Sequence, residues 1–369
     1  MPSPTEVKLV PNKTRERLND RQVVDYEAHR EKMVKWLLNM GKDPDRVEGY
    51  ALETVKGRIY RIDRFYRFVW DNLEDGYTKR VTTEHADKFM EHLAYSDHAN
   101  SYKSQYMKAL KMLFKWRHHQ FGEENWDPEI TFYGNNSTTQ PRDFFTKDER
   151  SKIRKAALEY GSIPTYSNLS PEERDKWKAH LAQRFEKPKE EVTESDWSRA
   201  NGWKTPSLVW TSLDAGLRPI EVARATTQWV DTENGLLRIP KEDSSKNTDN
   251  WIVGLRDETS QALTRWLKER ENHEKYNDTD RIWLTRNGNP YSSNSLSYLL
   301  EKLCEIADIS QDNRQISWYT IRHSVGTYMT REEDLAAAQA QLRHKSQQTT
   351  MRYDQAPVED RKEALNKMG

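Results

Sequence analysis

The chain has 369 residues, of which 35% are hydrophobic and 32% charged, and its 59 basic side chains are balanced by 59 acidic ones. Disordered chains share that low hydrophobicity but lack aromatics, so 13 Trp and 17 Tyr indicate a folded, polar, helix-rich protein. The zero formal charge argues against a uniformly basic nucleic-acid binder.

One cysteine, Cys304, excludes an intramolecular disulfide framework and a cysteine-based zinc cluster, and fits a reducing cytoplasm. The stretch Met1 to Val10 has no basic start followed by an apolar run. No window approaches the roughly 18 apolar residues that span a bilayer. A soluble, cytoplasmic chain with no membrane partner is expected.

In chain order, the first 120 or so residues read as four helices. In the second, Val55, Ile59, Ile62, Tyr66 and Val69 step by four and three, the period of one helix face. Arg58, Arg61, Arg64 and Arg67 fall on its other faces. The third helix is expected to start after Thr83 as cap, with Ala86, Phe89, Met90 and Leu93 inward. The fourth carries Tyr102, Tyr106, Leu110 and Leu113 on one side, surrounded by Lys103, Lys108, Lys111, Lys115 and Arg117, with Gly122 as its stop.

Periodicity vanishes from Glu123 to about Phe145, where TFYGNNSTTQPRD reads as a linker. Thr146 with Glu149, and Ser170 with Pro171 and Glu173, are helix-start signals. Next, TTQWVD and GLLRIP flank an Asn234-Gly235 hairpin turn, and WIVGL reads as a third strand. Beyond Asp257 the pattern is helical again, apart from RIWL and the turn NGNP.

Four segments carry chemistry together. GLRPIE holds Arg218 just after a helix end and Glu221 in the next turn. Lys246 lies between the hairpin and WIVGL, with Lys241 on the same loop as the alternative. WYTIRHSVGT puts Tyr319 and Arg322 three apart on one helix face, and LRHKSQQTTMRYDQ holds His344 and Tyr353. Two arginines, a lysine, a histidine and a tyrosine make a metal-free phosphoryl-transfer kit. Guanidinium groups clamp phosphate oxygens, lysine protonates a departing alkoxide and tyrosine attacks. Neither a carboxylate cluster for Mg²⁺ nor a Gly-rich phosphate loop is apparent, so no metal and no cofactor is expected.

With these segments in this order, the sequence resembles the tyrosine recombinase (phage integrase) family, which includes the Xer-type recombinases. The resemblance covers nearly the whole chain. It implies a mainly α fold with a small antiparallel β-sheet: a helical, SAM-like core-binding domain over 20–122, a linker over 123–145 and a tyrosine-recombinase catalytic domain over 146–369. By the same resemblance, Tyr353 attacks a scissile phosphate and forms a 3′-phosphotyrosyl link. Arg218 and Arg322 hold the non-bridging oxygens, Lys246 is the general acid, His344 hydrogen-bonds the phosphate and Glu221 braces Arg218.

Two positions depart from the family pattern. Tyr319 stands where a histidine is usual, and a phenol with a pKa near 10 is a poor proton acceptor at neutral pH. It either hydrogen-bonds phosphate or simply packs against its helix. The adjacent His323 is a candidate to help in its place, although its position one residue on is expected to point it elsewhere around the helix. Arg343 stands where glycine usually precedes His344, and either alters the turn or adds a phosphate contact.

Double-stranded DNA with paired half-sites is the implied partner, bound by a homotetramer. Lys103, Lys108, Lys111, Lys115 and Arg117, with Arg61 and Arg64, are the expected DNA-binding residues, although the arginine series also suits a solvated face. No arm-binding domain fits before residue 20, and a C-terminal helix after Tyr353 is expected to dock in trans. Site-specific recombination is the leading expectation. The alternatives are a catalytically weak or inactive DNA-binding regulator of the same fold and a type IB topoisomerase-like relaxing activity.

Overall fold

The computed structural model describes residues 7–133, 143–161, 163–244, 249–353 and 365–368. The chain divides into two compact units, Met1–Thr139 and Gln140–Gly369. It is mainly helical, and the sheet found among the described residues has three antiparallel strands. No helix among them is long and apolar enough to cross a membrane.

The first unit contains the short α1 (Asn12–Arg15) and the longer α2 (Asp20–Asn39), α3 (Leu52–Asn72), α4 (Thr83–Ala94) and α5 (Asn100–Phe121). Local chemistry sets their ends. Asn19 and Gln22 cap α2 reciprocally at 3.0 Å. The cap of α4 is Thr82, one residue earlier than the sequence pattern suggested, and its hydroxyl accepts the His85 N–H. Gly122 ends α5 at φ 71°, a left-handed conformation that glycine adopts without strain. The stripe of Val55, Ile59, Ile62, Tyr66 and Val69 is buried on α3. The core also takes in Val7 and Val10, which precede residue 20, and Trp126 from the stretch expected to be a linker. Apolar side chains at both margins find cover there.

A polar centre crosses this core. The Asp63 carboxylate is fully buried and lies 3.5 Å from the fully buried Arg30 and 3.2 Å from Arg67. It also accepts from the Thr14 hydroxyl at 2.8 Å and from Tyr26 at 3.3 Å.

The second unit opens with α6 (Lys147–Tyr160), α7 (Pro171–Arg184) and α8 (Glu194–Arg199). The capping boxes Thr146/Glu149 and Ser170/Glu173 both form. Next come α9 (Lys204–Ala215), α10 (Pro219–Arg224), β1 (Val230–Asp231), β2 (Leu236–Ile239) and β3 (Trp251–Gly254). The pairs Leu237↔Val253 and Ile239↔Trp251 set the β2–β3 register, with Leu237, Ile239 and Val253 facing the core and Arg238 and Ile252 outward. The unit is completed by α11 (Asp257–Arg270), α12 (Ser293–Ile306), α13 (Trp318–Glu332), α14 (Leu335–Leu342) and α15 (Gln347–Thr350). One large core joins α6, α9, the sheet, α11, α12 and the start of α13, while Trp177, Leu181 and Trp197 form a satellite cluster.

Because Asp63 is the counter-charge of a fully buried arginine, Asp63→Ala should destabilise the protein by about 3–5 kcal/mol. Urea unfolding of the full chain, followed by tryptophan fluorescence, checks this; an unchanged midpoint would refute it.

Candidate active site

The site begins at the end of α9. Gly216 has φ 58°, and a Cβ there would lie 2.6 Å from Leu342 Cδ2, so both backbone and space demand glycine. This turn delivers Arg218 to the N-cap of α10, with Pro219 as the first helical residue. Glu221, one turn on, reaches back. One carboxylate oxygen accepts the Arg218 N–H at 2.8 Å and the other accepts Arg218 Nη1 at 2.8 Å.

Two more arginines close on the same point. Arg322, on α13, donates from Nη1 to the Gly216 carbonyl at 2.6 Å and from Nη2 to the Leu342 carbonyl. Arg343, just after α14, donates to Glu221 at 2.8 Å and to the Ala215, Gln341 and Gly216 carbonyls. Its φ of 58° lies in the left-handed region that favours glycine. The strain of about 1–2 kcal/mol is offset by this set of buried bonds. Arg343 is 4% exposed, and its guanidinium acts as an internal strut.

Three guanidiniums surround one carboxylate, leaving a local charge of 3 − 1 = +2. Burial pushes Glu221 up, but Arg343, Arg218 and Arg322 outweigh it and hold the carboxyl at about 2. Burial first, then Arg343 and Arg218, pulls Arg322 down to about 9. Excess positive charge in a desolvated site is stabilised by an incoming anion. Arg218, whose side chain is 15% exposed, is the most open of the three.

Tyr353 sits beside this cluster, 7% exposed and packed with Val325 and Leu342. Its ring lies on Gly326, where a Cβ would come within 2.9 Å of Cδ1 and Cδ2. His344 stacks on the same ring at 5.9 Å and 5° and hydrogen-bonds Thr350 at 2.9 Å through Nδ1. The phenolic oxygen lies 3.1 Å from Nδ1 of His323. His323 therefore does not point away, as its place in the sequence suggested, because it shares with Gly326 the face on which Tyr353 lies. Tyr319 is 45% exposed, with its ring 6.5 Å from that of His323.

Lys246 lies outside the described residues, and Lys241 is exposed. The described start of their loop is anchored near α10, where Arg224 donates to the Asp243 and Ser244 carbonyls. Gln341 ties α14 to β3 through Gly254 and to α9 through Asp214.

In the first unit, the residues expected to bind DNA separate into two groups. Lys103 is buried, donating to the Ala94 carbonyl, and Arg117 is buried in a two-pronged pair with Glu123. These two are corrected to internal roles: their polar ends satisfy groups within the fold. Lys108 and Lys111 are exposed, Lys115 caps the Gly41 and Lys42 carbonyls, Arg61 bonds Gly57 and Arg64 bonds Tyr102 and Tyr106.

Gly326, the orientation of His323 and the strut role of Arg343 are what sequence reasoning missed. The i, i+3 spacing of His323 and Gly326 was a readable signal, but its meaning required the position of Tyr353.

Arg343→Gly should remove backbone strain and still destabilise the protein by about 3 kcal/mol, because Glu221 loses a buried partner; urea unfolding reads the sign. A Glu221 carboxyl held at about 2 instead of 4.5 contributes stability above pH 4.5 that is lost as pH falls toward 2. The stability gap between wild type and Glu221→Gln should therefore narrow across that window, as measured by unfolding at stepped pH.

The sequence model described as the phage integrase family matches residues 196–359. A curated relative, tyrosine recombinase XerC of Chlamydia pneumoniae, is 26% identical over 169 residues, covering 46% of this chain and 52% of the relative. The match thus spans about half the length of that protein. Among solved structures, the XerH site-specific recombinase bound to palindromic difH substrate superposes with a TM-score of 0.56 at 16% identity, over 98% of this chain and 91% of the other. A lambda integrase dimer bound to a COC′ core site gives 0.50 at 14% identity, over 88% and 95%. At such identities the likeness is one of fold. Residues 196–359 are thus similar in sequence to the phage integrase family.

Proposed function

We propose that the protein is a site-specific DNA recombinase that cuts and rejoins double-stranded DNA through a 3′-phosphotyrosine on Tyr353. The observation that carries this reading is the meeting of Arg218, Arg322 and Tyr353, from three separate segments, around one buried excess of positive charge. A phosphodiester offers the anion that such a cluster lacks.

Arg218 and Arg322 bind the non-bridging oxygens and stabilise the added charge of the pentacoordinate transition state. Glu221 and Arg343 act behind them by fixing Arg218 and the Gly216 turn. Tyr353 attacks phosphorus, and the 5′ oxygen leaves with a proton from Lys246, or from Lys241 if the loop presents that residue instead. His344 hydrogen-bonds the phosphate, and Tyr319 keeps only the hydrogen bonding that a phenol supplies. Because one phosphoester replaces another, bond energy is conserved and nucleotide hydrolysis is unnecessary.

The core-binding domain of residues 20–122 would grip the duplex with Lys108, Lys111 and Lys115 and with the remaining donors of Arg61 and Arg64. The catalytic domain of 146–369 would act on paired half-sites as a homotetramer in the cytoplasm. Exposure of Tyr319 at the usual histidine position favours a second reading, a DNA-binding regulator of the same fold.

Suicide duplexes built on sites selected from a randomised DNA pool separate the two. Wild type should form a covalent protein–DNA adduct that disappears in Tyr353→Phe, with DNA binding retained. Tight binding without any adduct would establish the regulator. Site-independent relaxation of a supercoiled plasmid would replace recombination with topoisomerase activity.

A further inference from the structure

Attack by Tyr353 requires its hydroxyl proton to go somewhere, since a phenol with a pKa near 10 is almost wholly protonated at neutral pH. Three residues stand near enough to be considered. His344 lies parallel to the tyrosine ring, a stacking contact, and its Nδ1 is engaged with Thr350. Tyr319 is exposed, neighbours His323 rather than Tyr353, and is itself a phenol. His323 faces the attacking oxygen itself, with Nδ1 at hydrogen-bonding distance, 3.1 Å from the Tyr353 hydroxyl.

That contact is built by the helix. On α13, His323 precedes Gly326 by three residues, so both lie on one face. Gly326 lets the tyrosine ring rest against the backbone, and the imidazole meets the hydroxyl end of the same ring. His323 is 8% exposed, which shields the pair from water. The charged groups about this site are Arg322, Arg218, Arg343 and Glu221, with His344 across the ring.

We propose that His323 is the general base of strand cleavage, accepting the Tyr353 proton directly at Nδ1. The assignment rests on the recombinase reading of the site. The neutral imidazole carries its proton on Nε2 and presents the Nδ1 lone pair to Oη. As the Oη–P bond forms, the phenolic proton passes to Nδ1; as P–O5′ breaks, the general acid protonates the leaving oxygen. In rejoining, the 5′-hydroxyl gives that proton back and forms O5′–P, the P–Oη bond breaks, and His323 returns its proton to the phenolate. Nothing is oxidised, and no proton is gained or lost over the cycle.

The test uses the full chain and two suicide duplexes, one with a normal scissile phosphodiester and one with a 5′-bridging sulfur, whose thiolate leaves without an acid. Wild type must first form the adduct; if it does not, the recombinase reading fails before His323 is in question. His323→Ala should slow adduct formation by about 100-fold or more on both substrates and regain rate with added imidazole. His323→Asn, which keeps a hydrogen-bonding side chain, should fold, bind DNA and remain slow. Lys246→Ala, by contrast, should recover on the sulfur substrate. The proposal is overturned if His323→Asn cleaves at the wild-type rate, if sulfur rescues the His323 variants, if imidazole has no effect on His323→Ala, or if Tyr319→Phe loses more rate than His323→Ala.

Discussion

The Glu221 carboxylate, held between Arg218 and Arg343 with Arg322 beside them, is the interaction on which the second unit depends. It joins chain segments more than a hundred residues apart: the turn after α9 and the turn after α14. A buried carboxylate alone would be costly, and three buried guanidiniums without it costlier still. Their combination is tolerable because each guanidinium donates to the carboxylate or to backbone carbonyls. The brace therefore shapes this part of the fold.

Close packing carries that arrangement to Tyr353. Gly216 accepts donors from both Arg322 and Arg343 at its carbonyl, and Leu342 fills the space where its side chain would be. Leu342 in turn meets Gly326, against which Tyr353 rests. Two glycines thus bring α9, α13 and the segment after α14 within van der Waals reach. The tyrosine, its histidine neighbours and the arginine cluster are set by one continuous contact, since a close-packed interior leaves little room for independent adjustment.

Charge in this protein is organised locally, which is why the neutral total is uninformative about nucleic acid. Acids placed against buried bases, as in Arg30–Asp63 and Arg117–Glu123, cancel in the sum while serving the interior. The same accounting separates Lys103 and Arg117 from Lys108 and Lys111, although all four lie on α5. Counting basic residues along a helix cannot distinguish a lysine that caps a carbonyl from one that faces solvent. Only the packing of α4, α5 and the chain after Gly122 makes that distinction.

The sequence by itself determined the helical plan, the hairpin with its third strand, the capping boxes and the identity of the arginine, histidine and tyrosine motifs. Those features depend on periodicity, turn chemistry and spacing within a few residues, all of which are written locally. What only the tertiary structure decided is which side of each motif residue does what. Arg343 became a strut because Glu221 lies opposite it, and Tyr319 stayed at the surface while His323 met Tyr353 because the tyrosine returns to α13 over Gly326. A side chain's partner from a distant segment is set by packing and charge compensation across the whole unit, and neither quantity exists until the chain has closed on itself.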